Sequence, residues 1–185
     1  NWINIFWVAA AFSGLAMVFL VAWVPRSNHV MWHAETEPDP TLLRPVFFMP
    51  ELMRLNTGIF ILHVILTATF VVLPLSLEQF TGLPTGKQWH LYLPVLLGAL
   101  LTCAVIILNA QKKQRQVFYF LSGIVLLGCS EVGLWFFSKN LLLSALSLLL
   151  FFTAFSLLEA FLPSFVALHA PSSRKGTALG IYGCA

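Results

Sequence analysis

Charged residues are scarce in this 185-residue sequence, where Lys, Arg, Asp and Glu together make up 9% while 59% is apolar. An ordinary soluble domain carries about 25% charged residues, so the composition argues against a soluble fold. Uncharged runs of about 18 residues or more recur instead, and each is long enough for a helix to cross a bilayer. The alternating pattern of transmembrane β-strands is missing. We therefore predict an all-α, polytopic transmembrane helical bundle embedded in a lipid bilayer.

Motifs of the common enzyme classes are also missing. The sequence has no H-E-x-x-H, no G-x-S-x-G, no P-loop and no glycine-rich dinucleotide turn. Cys103, Cys129 and Cys184 are isolated, which leaves no paired spacing for zinc and no disulfide framework. We predict that the protein is not an enzyme and has no cofactor and no bound metal. Its basic clusters are short loops, so nucleic acid is not indicated as a partner.

The apolar runs predict five complete membrane spans and the start of a sixth. A polar, proline-rich stretch follows the first span. We therefore predict a transmembrane helix at 1–24, a cytoplasmic linker at 25–53 and further transmembrane helices at 54–185. Because the chain starts at Asn1 and ends in a short apolar segment, we expect an internal piece of a longer protein. The complete spans are placed at about Ile3–Val24, Leu55–Leu77, His90–Asn109, Val117–Phe137 and Leu141–Leu168.

The distribution of Lys and Arg predicts the orientation. Alternate threading of the spans puts eight of these ten residues on one side, and only Lys87 and Lys139 on the other. Positive residues favour cytoplasmic loops, so the linker and the segments QKKQRQ and APSSRKG are expected to be cytoplasmic.

Glu159 is the first of three ionisable side chains inside predicted spans. Inserting an ionised side chain at the middle of the membrane costs about 2.5 to 3.5 kcal/mol on an insertion scale. An ionisable residue in such a position therefore indicates a functional role. At about 100° per residue, it shares one stripe of the fifth span with Thr153, Ser156, Pro163 and Ser164. We expect this stripe to face the protein interior or a wet cavity, where Glu159 and Ser156 contact protons or substrate. A purely structural hydrogen bond to a neighbouring helix is the alternative.

His63 lies in a similar column on the second span. Asn56, His63, Thr67 and Pro74 are spaced seven, four and seven residues apart, which places them on one helix face. We interpret Asn56, His63 and Thr67 as the lining of a substrate or proton pathway. An interhelical hydrogen bond, of about 1 kcal/mol, is an equally good explanation.

Glu131 is the third ionisable residue, and its role is left open. It lies about 21 Å from the cytoplasmic start of its helix, in the outer half of the membrane. We expect it to pair with a neighbouring group or to reach the interface.

Three segments carry a resemblance to a known family: RLNTGIFILHVILTATFVVLP, RQVFYF and FTAFSLLEAFLPSFVALHAPSSRKGTALGIYG. They resemble the major facilitator superfamily, and within it the YajR-like group of the bacterial drug and proton antiporter branch. The resemblance runs from helix 6 to the start of helix 11 of a twelve-helix fold. It implies that Arg174 and Lys175 close the cytoplasmic end. The segment LNAQKKQRQVF departs from the family's G-x-x-x-D-R-x-G-R loop because it lacks the Gly and the Asp.

The resemblance implies a secondary active transporter of the bacterial inner membrane that works by alternating access. We expect proton-coupled efflux of small amphipathic compounds, with Glu159 and His63 as the leading contacts for protons or substrate. A metabolite uniporter or importer of the same fold is the first alternative. A second alternative is an intramembrane enzyme, which would need Glu131, Glu159 and His63 to meet in space. A third is a membrane scaffold or sensor without a polar cavity.

Overall fold

The protein is represented by a computed structural model that describes residues 2–23, 40–112 and 115–185. Residues 25–39 of the predicted linker, the preceding Val24, and residues 113–114 of the basic QKKQRQ segment lie outside the described residues. The chain divides into two compact units, Asn1–His33 and Ala34–Ala185.

The described residues form seven α-helices and three short 3-10 turns. Five of the helices are long and apolar enough to cross a membrane, which agrees with the five predicted spans. The helices are α1 (Trp2–Trp23), α2 (Leu43–Phe47), α3 (Pro50–Thr81), α4 (Trp89–Lys112), α5 (Gln116–Phe136), α6 (Leu141–His169) and α7 (Lys175–Cys184), and the turns are Pro40–Leu42, Thr85–Lys87 and Ser172–Arg174.

The first unit contains α1. Every side chain from Phe6 to Trp23 is exposed on this helix, and these side chains are almost all apolar. Such a helix has no polar face to present to water, so its whole circumference suits contact with lipid or with other apolar helices.

In the second unit, α3 begins and ends at recognisable signals. Met49 is extended, and Pro50 occupies the first helical position, where a missing N–H costs nothing. At the other end Gly82 adopts a left-handed conformation with φ of 71°, which glycine tolerates without strain. The helix therefore starts at Pro50, within the stretch that we assigned to the linker.

The centre of the second unit is α6. Asn140 caps its start, since the side-chain oxygen accepts hydrogen bonds from the N–H groups of Leu142 (3.1 Å) and Leu143 (3.2 Å). The helix then packs against α3, α4, α5 and α7, whereas α4 and α5 make few contacts with each other. Its buried side chains make the main apolar core with residues of α3, α4 and α5, and they include Leu148, Phe151, Ala154, Phe155, Leu158 and Leu162.

A second apolar cluster closes the end of the unit where α2, α3 and α7 meet. It contains Val46 of α2, Leu52 of α3, Val166 of α6 and Ala178 of α7, all nearly or completely buried. The distribution of positive residues predicts that this end is cytoplasmic, and we call it the cytoplasmic end and its opposite the outer end. The opposite, outer end carries the connections between α3 and α4 and between α5 and α6.

Candidate functional site: a polar face on α3 and α6

His63 projects from the middle of α3 and is exposed on the surface of the second unit. Its Nδ1 lies 3.0 Å from the backbone oxygen of Ile59. Because a carbonyl oxygen only accepts hydrogen bonds, Nδ1 must carry the hydrogen of this contact. In the neutral ring, Nε2 is then the nitrogen that is able to take up a proton.

The His63 ring also links α3 to α6. It meets the ring of Phe155 edge-on, with 5.9 Å between the ring centres. Phe155 lies one helical turn before Glu159, so the two side chains project from the same side of α6. The contact thus brings the His63 part of α3 next to the Glu159 part of α6.

Glu159 is exposed, and an electrostatic partner of its carboxyl group lies on α7. The carboxyl group is close enough to the phenol of Tyr182 for the two to interact electrostatically. His63, Phe155, Glu159 and Tyr182 therefore lie near one another on one side of the unit. We call this set the polar face.

A shallow cavity of about 450 Å³ adjoins His63. Thr67 shares this cavity, and its hydroxyl donates a 2.8 Å hydrogen bond to the backbone oxygen of His63. Glu159 is not among the lining residues, which are Phe60, His63, Val64, Thr67, Ala68 and Ala185.

The polar residues of the predicted column on α3 differ in their exposure. Asn56 is 9% exposed, whereas His63 and Thr67 are exposed. At this end α3 packs against α2, α6 and α7. The Oδ1 atom of Asn56 is buried and has no hydrogen-bond partner among the residues that the structure describes.

The predicted stripe on α6 is divided in the same way. Thr153 is buried and donates to the backbone oxygen of Leu149 at 2.8 Å, while Glu159 and Ser164 are exposed and Ser156 is half-buried. Thr153 therefore faces the core of the unit rather than a wet passage.

Arg174 and Lys175 lie where the last 3-10 turn meets α7, and both are half-buried. They are at the same end of the unit as the cluster that joins α2, α3 and α7. Neither of them lies on the polar face.

Glu131 belongs to a different place. Its Oε1 lies 2.8 Å from Thr69 Oγ1, at the junction of α5 with α3. It therefore does not join His63 and Glu159, as the intramembrane-enzyme alternative required. Across the described part of the chain, no three His, Cys, Asp or Glu side chains form a group that is able to hold a metal ion.

Phe155 and Tyr182 were not among the predicted site residues. Phe155 looked like an ordinary apolar residue, and Tyr182 lies in a segment that is too short to span a membrane. The position of Phe155 one turn before Glu159 was a signal that the sequence did offer. The approach of Tyr182 depends on how α7 folds back onto α6.

Comparison with known proteins identifies the class to which this fold belongs. The model of the Major Facilitator Superfamily matches residues 1–185, so the chain belongs to this family. The resemblance seen in the sequence and the predicted all-α polytopic fold are thereby confirmed.

Among curated proteins, the chain is similar to the inner membrane transport protein YajR of Escherichia coli (strain K12). The two are 33% identical over 180 residues, which cover 96% of this chain and 39% of YajR. It is also 27% identical over 185 residues to an uncharacterized transporter of Buchnera aphidicola subsp. Acyrthosiphon pisum (strain APS), covering 97% of this chain and 46% of the relative. The chain thus spans less than half the length of these relatives. No solved structure gives a significant match.

Proposed function

We propose that this chain is part of a secondary active transporter that exports small amphipathic compounds in exchange for protons. The protein would lie in the inner membrane, as the name of the relative from E. coli supports. Alternating access would move two halves of the full-length protein around a site near the middle of the membrane.

The observation that carries this proposal is the polar face itself. His63, Thr67 and Glu159 are exposed on a unit whose surface is otherwise rich in Leu, Val and Phe. An ionised carboxylate in hydrocarbon costs about 2.5 to 3.5 kcal/mol, so such a face favours contact with water or with another part of the protein. A substrate and proton pathway between two halves provides that contact.

Glu159 and His63 have the chemistry that proton coupling requires. Glu159 takes up and releases a proton at its carboxyl group, and His63 does so at Nε2. The half-buried Tyr182 gives the same face aromatic surface, which suits the apolar part of an amphipathic substrate. Thr67 and Ser156 add hydroxyl groups that hydrogen-bond a ligand.

The buried residues and the basic pair have separate proposed roles. Asn56 would contact protons or substrate near the cytoplasmic end, since its Oδ1 is free to accept a hydrogen bond. Arg174 and Lys175 would help to close that end, because they begin the helix that packs against α2 and α3.

Substitution of Glu159 by Gln in the full-length protein tests the proposal. Gln has nearly the same shape but does not carry a transferable proton, so we expect at least a tenfold loss of proton-driven efflux, which corresponds to about 1.4 kcal/mol. Efflux of an amphipathic dye such as ethidium from vesicles with an imposed pH gradient is the measurement. Glu78→Gln is the matched control, because Glu78 is exposed at the outer end of α3 and accepts a hydrogen bond from Thr85.

Two results would contradict the proposal in different ways. Unchanged proton-driven efflux by Glu159→Gln would remove Glu159 from the coupling pathway. Wild-type flux that is unaffected when the proton gradient is collapsed would favour the uniporter alternative.

A further inference from the structure

The short helix α2 and the residue that follows it present an exposed apolar surface at the cytoplasmic end. Val46 of α2 is buried in the cluster with residues of α3, α6 and α7. Leu43, Phe47 and Phe48, in contrast, are 47%, 48% and 64% exposed. The rings of Phe47 and Phe48 meet edge-on, with 5.3 Å between their centres. The transport role proposed above makes no use of these residues.

A shallow groove of about 230 Å³ lies between this surface and α7. The residues that line it are Leu43, Arg44, Phe47, Phe48 and Ile181. Four of these five side chains are apolar, and Arg44 supplies the one charge. A narrow apolar groove with a single charged residue suits a molecule that is itself amphipathic.

The position of the groove along α7 is typical of the boundary between a bilayer and water. Lys175 begins α7 at the cytoplasmic end, and Ile181 follows it by six residues, which is about 9 Å along the helix at about 1.5 Å per residue. The boundary region of a membrane accommodates exposed Leu and Phe side chains, which water does not favour. An arginine there covers apolar surface with its aliphatic stem and keeps its charged group among the lipid headgroups.

The charge of the cytoplasmic end indicates which headgroup fits. Within residues 40–54 and 169–175, the side chains of Arg44, Arg54, Arg174 and Lys175 are positive, and Glu51 is the one acidic residue. Arg44 is exposed and forms no ion pair with any residue that the structure describes. Its guanidinium group offers paired N–H donors, which match the oxygens of a phosphate. Basic residues next to a membrane attract anionic lipids.

We propose that the groove between α2 and α7 binds an anionic phospholipid of the cytoplasmic leaflet. The lipid phosphate accepts hydrogen bonds from Arg44, and the first part of an acyl chain lies on Leu43, Phe47 and Ile181. A free phosphate ion would use the charge but leave the apolar groove empty, so a lipid fits the whole site better. The bound lipid holds α2, and with it the start of α3, at the membrane surface.

Photo-crosslinking of the full-length protein in lipid nanodiscs tests this proposal. Two probes carry the same diazirine near the glycerol end of an acyl chain, one with a phosphatidylglycerol and one with a phosphatidylcholine headgroup. Each is added at the same small fraction to a phosphatidylcholine bilayer. Illumination releases N2, and the resulting carbene inserts into a nearby C–H bond, so peptide mass spectrometry locates the lipid. The phosphatidylglycerol probe should label residues 43–48 about fivefold more than the phosphatidylcholine probe, which corresponds to about 1 kcal/mol.

Arg44→Gln isolates the recognition of the headgroup. It removes the charge and leaves the other lining residues in place, so labelling by the phosphatidylglycerol probe should fall to the level of the phosphatidylcholine probe. Arg115→Gln is the matched control, because Arg115 is exposed just before α5 and does not line the groove. Its labelling of residues 43–48 should equal that of the wild type. Thermal unfolding of both variants checks that the fold is retained.

Three results would overturn the proposal. Equal labelling of residues 43–48 by the two probes would mean that this surface meets lipid without a preference for anionic headgroups. Labelling by neither probe would mean that another segment of the full-length protein covers the groove. A preference for phosphatidylglycerol that persists in Arg44→Gln would mean that Arg44 does not contact the headgroup. Crosslinking is measured without transport, so its outcome is independent of the role of Glu159.

Discussion

Two buried amide side chains, Asn56 on α3 and Gln88 just before α4, illustrate how differently the two ends of this unit are built. At the outer end, the Nε2 of Gln88 donates to the backbone oxygens of Pro74 (2.7 Å) and Leu83 (3.2 Å), and its Oε1 accepts from the Tyr92 hydroxyl (2.9 Å). At the cytoplasmic end, Asn56 is also buried, yet its Oδ1 has no partner within residues 2–23, 40–112 and 115–185.

The comparison indicates which end is fixed and which is able to change. A fully satisfied buried amide stabilises one arrangement, because any movement breaks its hydrogen bonds. A buried acceptor without a partner costs free energy in the present arrangement, and it gains by meeting water or a ligand. We infer that the junction of α3 with α4 at the outer end is held more firmly than the surroundings of Asn56 at the other end of α3.

The largest expected effect is that of Gln88→Leu. This substitution removes three hydrogen bonds and leaves the Tyr92 hydroxyl without its acceptor, so we expect a loss of about 2 to 3 kcal/mol in unfolding free energy. Thermal unfolding of the full-length protein in detergent is the measurement. Gln79→Leu, at an exposed position of the same outer end, is the control and should change stability little. Equal stability of the two variants would show that the outer end is not held by Gln88.

Gly133→Ala should cause the next largest loss of unfolding free energy. A Cβ built at Gly133 lies 2.6 Å from Oγ of Ser147, so α5 and α6 must shift or Ser147 must rotate, at a cost of about 1 to 2 kcal/mol. Gly128 has nothing within 4 Å of its built Cβ, and Gly128→Ala should be neutral or slightly stabilising. The same unfolding assay distinguishes them. If both variants unfold alike, the close approach of the helices at the outer end does not contribute to its rigidity.

Asn56→Leu should have the smallest effect on the unfolding free energy, and this effect should have the opposite sign. Leucine has a similar size and no unpaired acceptor, so we expect stability to be unchanged or raised by up to about 1 kcal/mol. Dye efflux should fall at the same time if Asn56 meets protons or substrate. A clear loss of stability would mean that Asn56 is bonded within the fold, and the contrast with Gln88 would then be lost.

The arrangement of spans was readily predicted from sequence, and the environments of single polar residues were not. Long apolar runs defined the helices because a bilayer requires about 20 apolar residues per crossing. Helical periodicity placed Asn56 on the same face as His63, but it gave no information about α7, which packs against one end of that face. The contact of Thr69 with Glu131 joins residues that are 62 positions apart, and no local pattern connects them.

The sequence carries a signal for the start of α3 at Pro50. Pro50 stands just before an apolar run, and proline is favoured at the first position of a helix. This would have moved the start of α3 from the region of Arg54 to Pro50, where the structure has it.

The central position of α6 has a consequence for biosynthesis. Helices α3, α4 and α5 leave the ribosome first, yet each makes its main interhelical contacts with α6. Until α6 is synthesised, the surfaces through which these three helices contact it have no partner in this unit. Within this unit, the three helices therefore reach their main packing partner only after α6 is synthesised, and a defect in α6 would leave them without it.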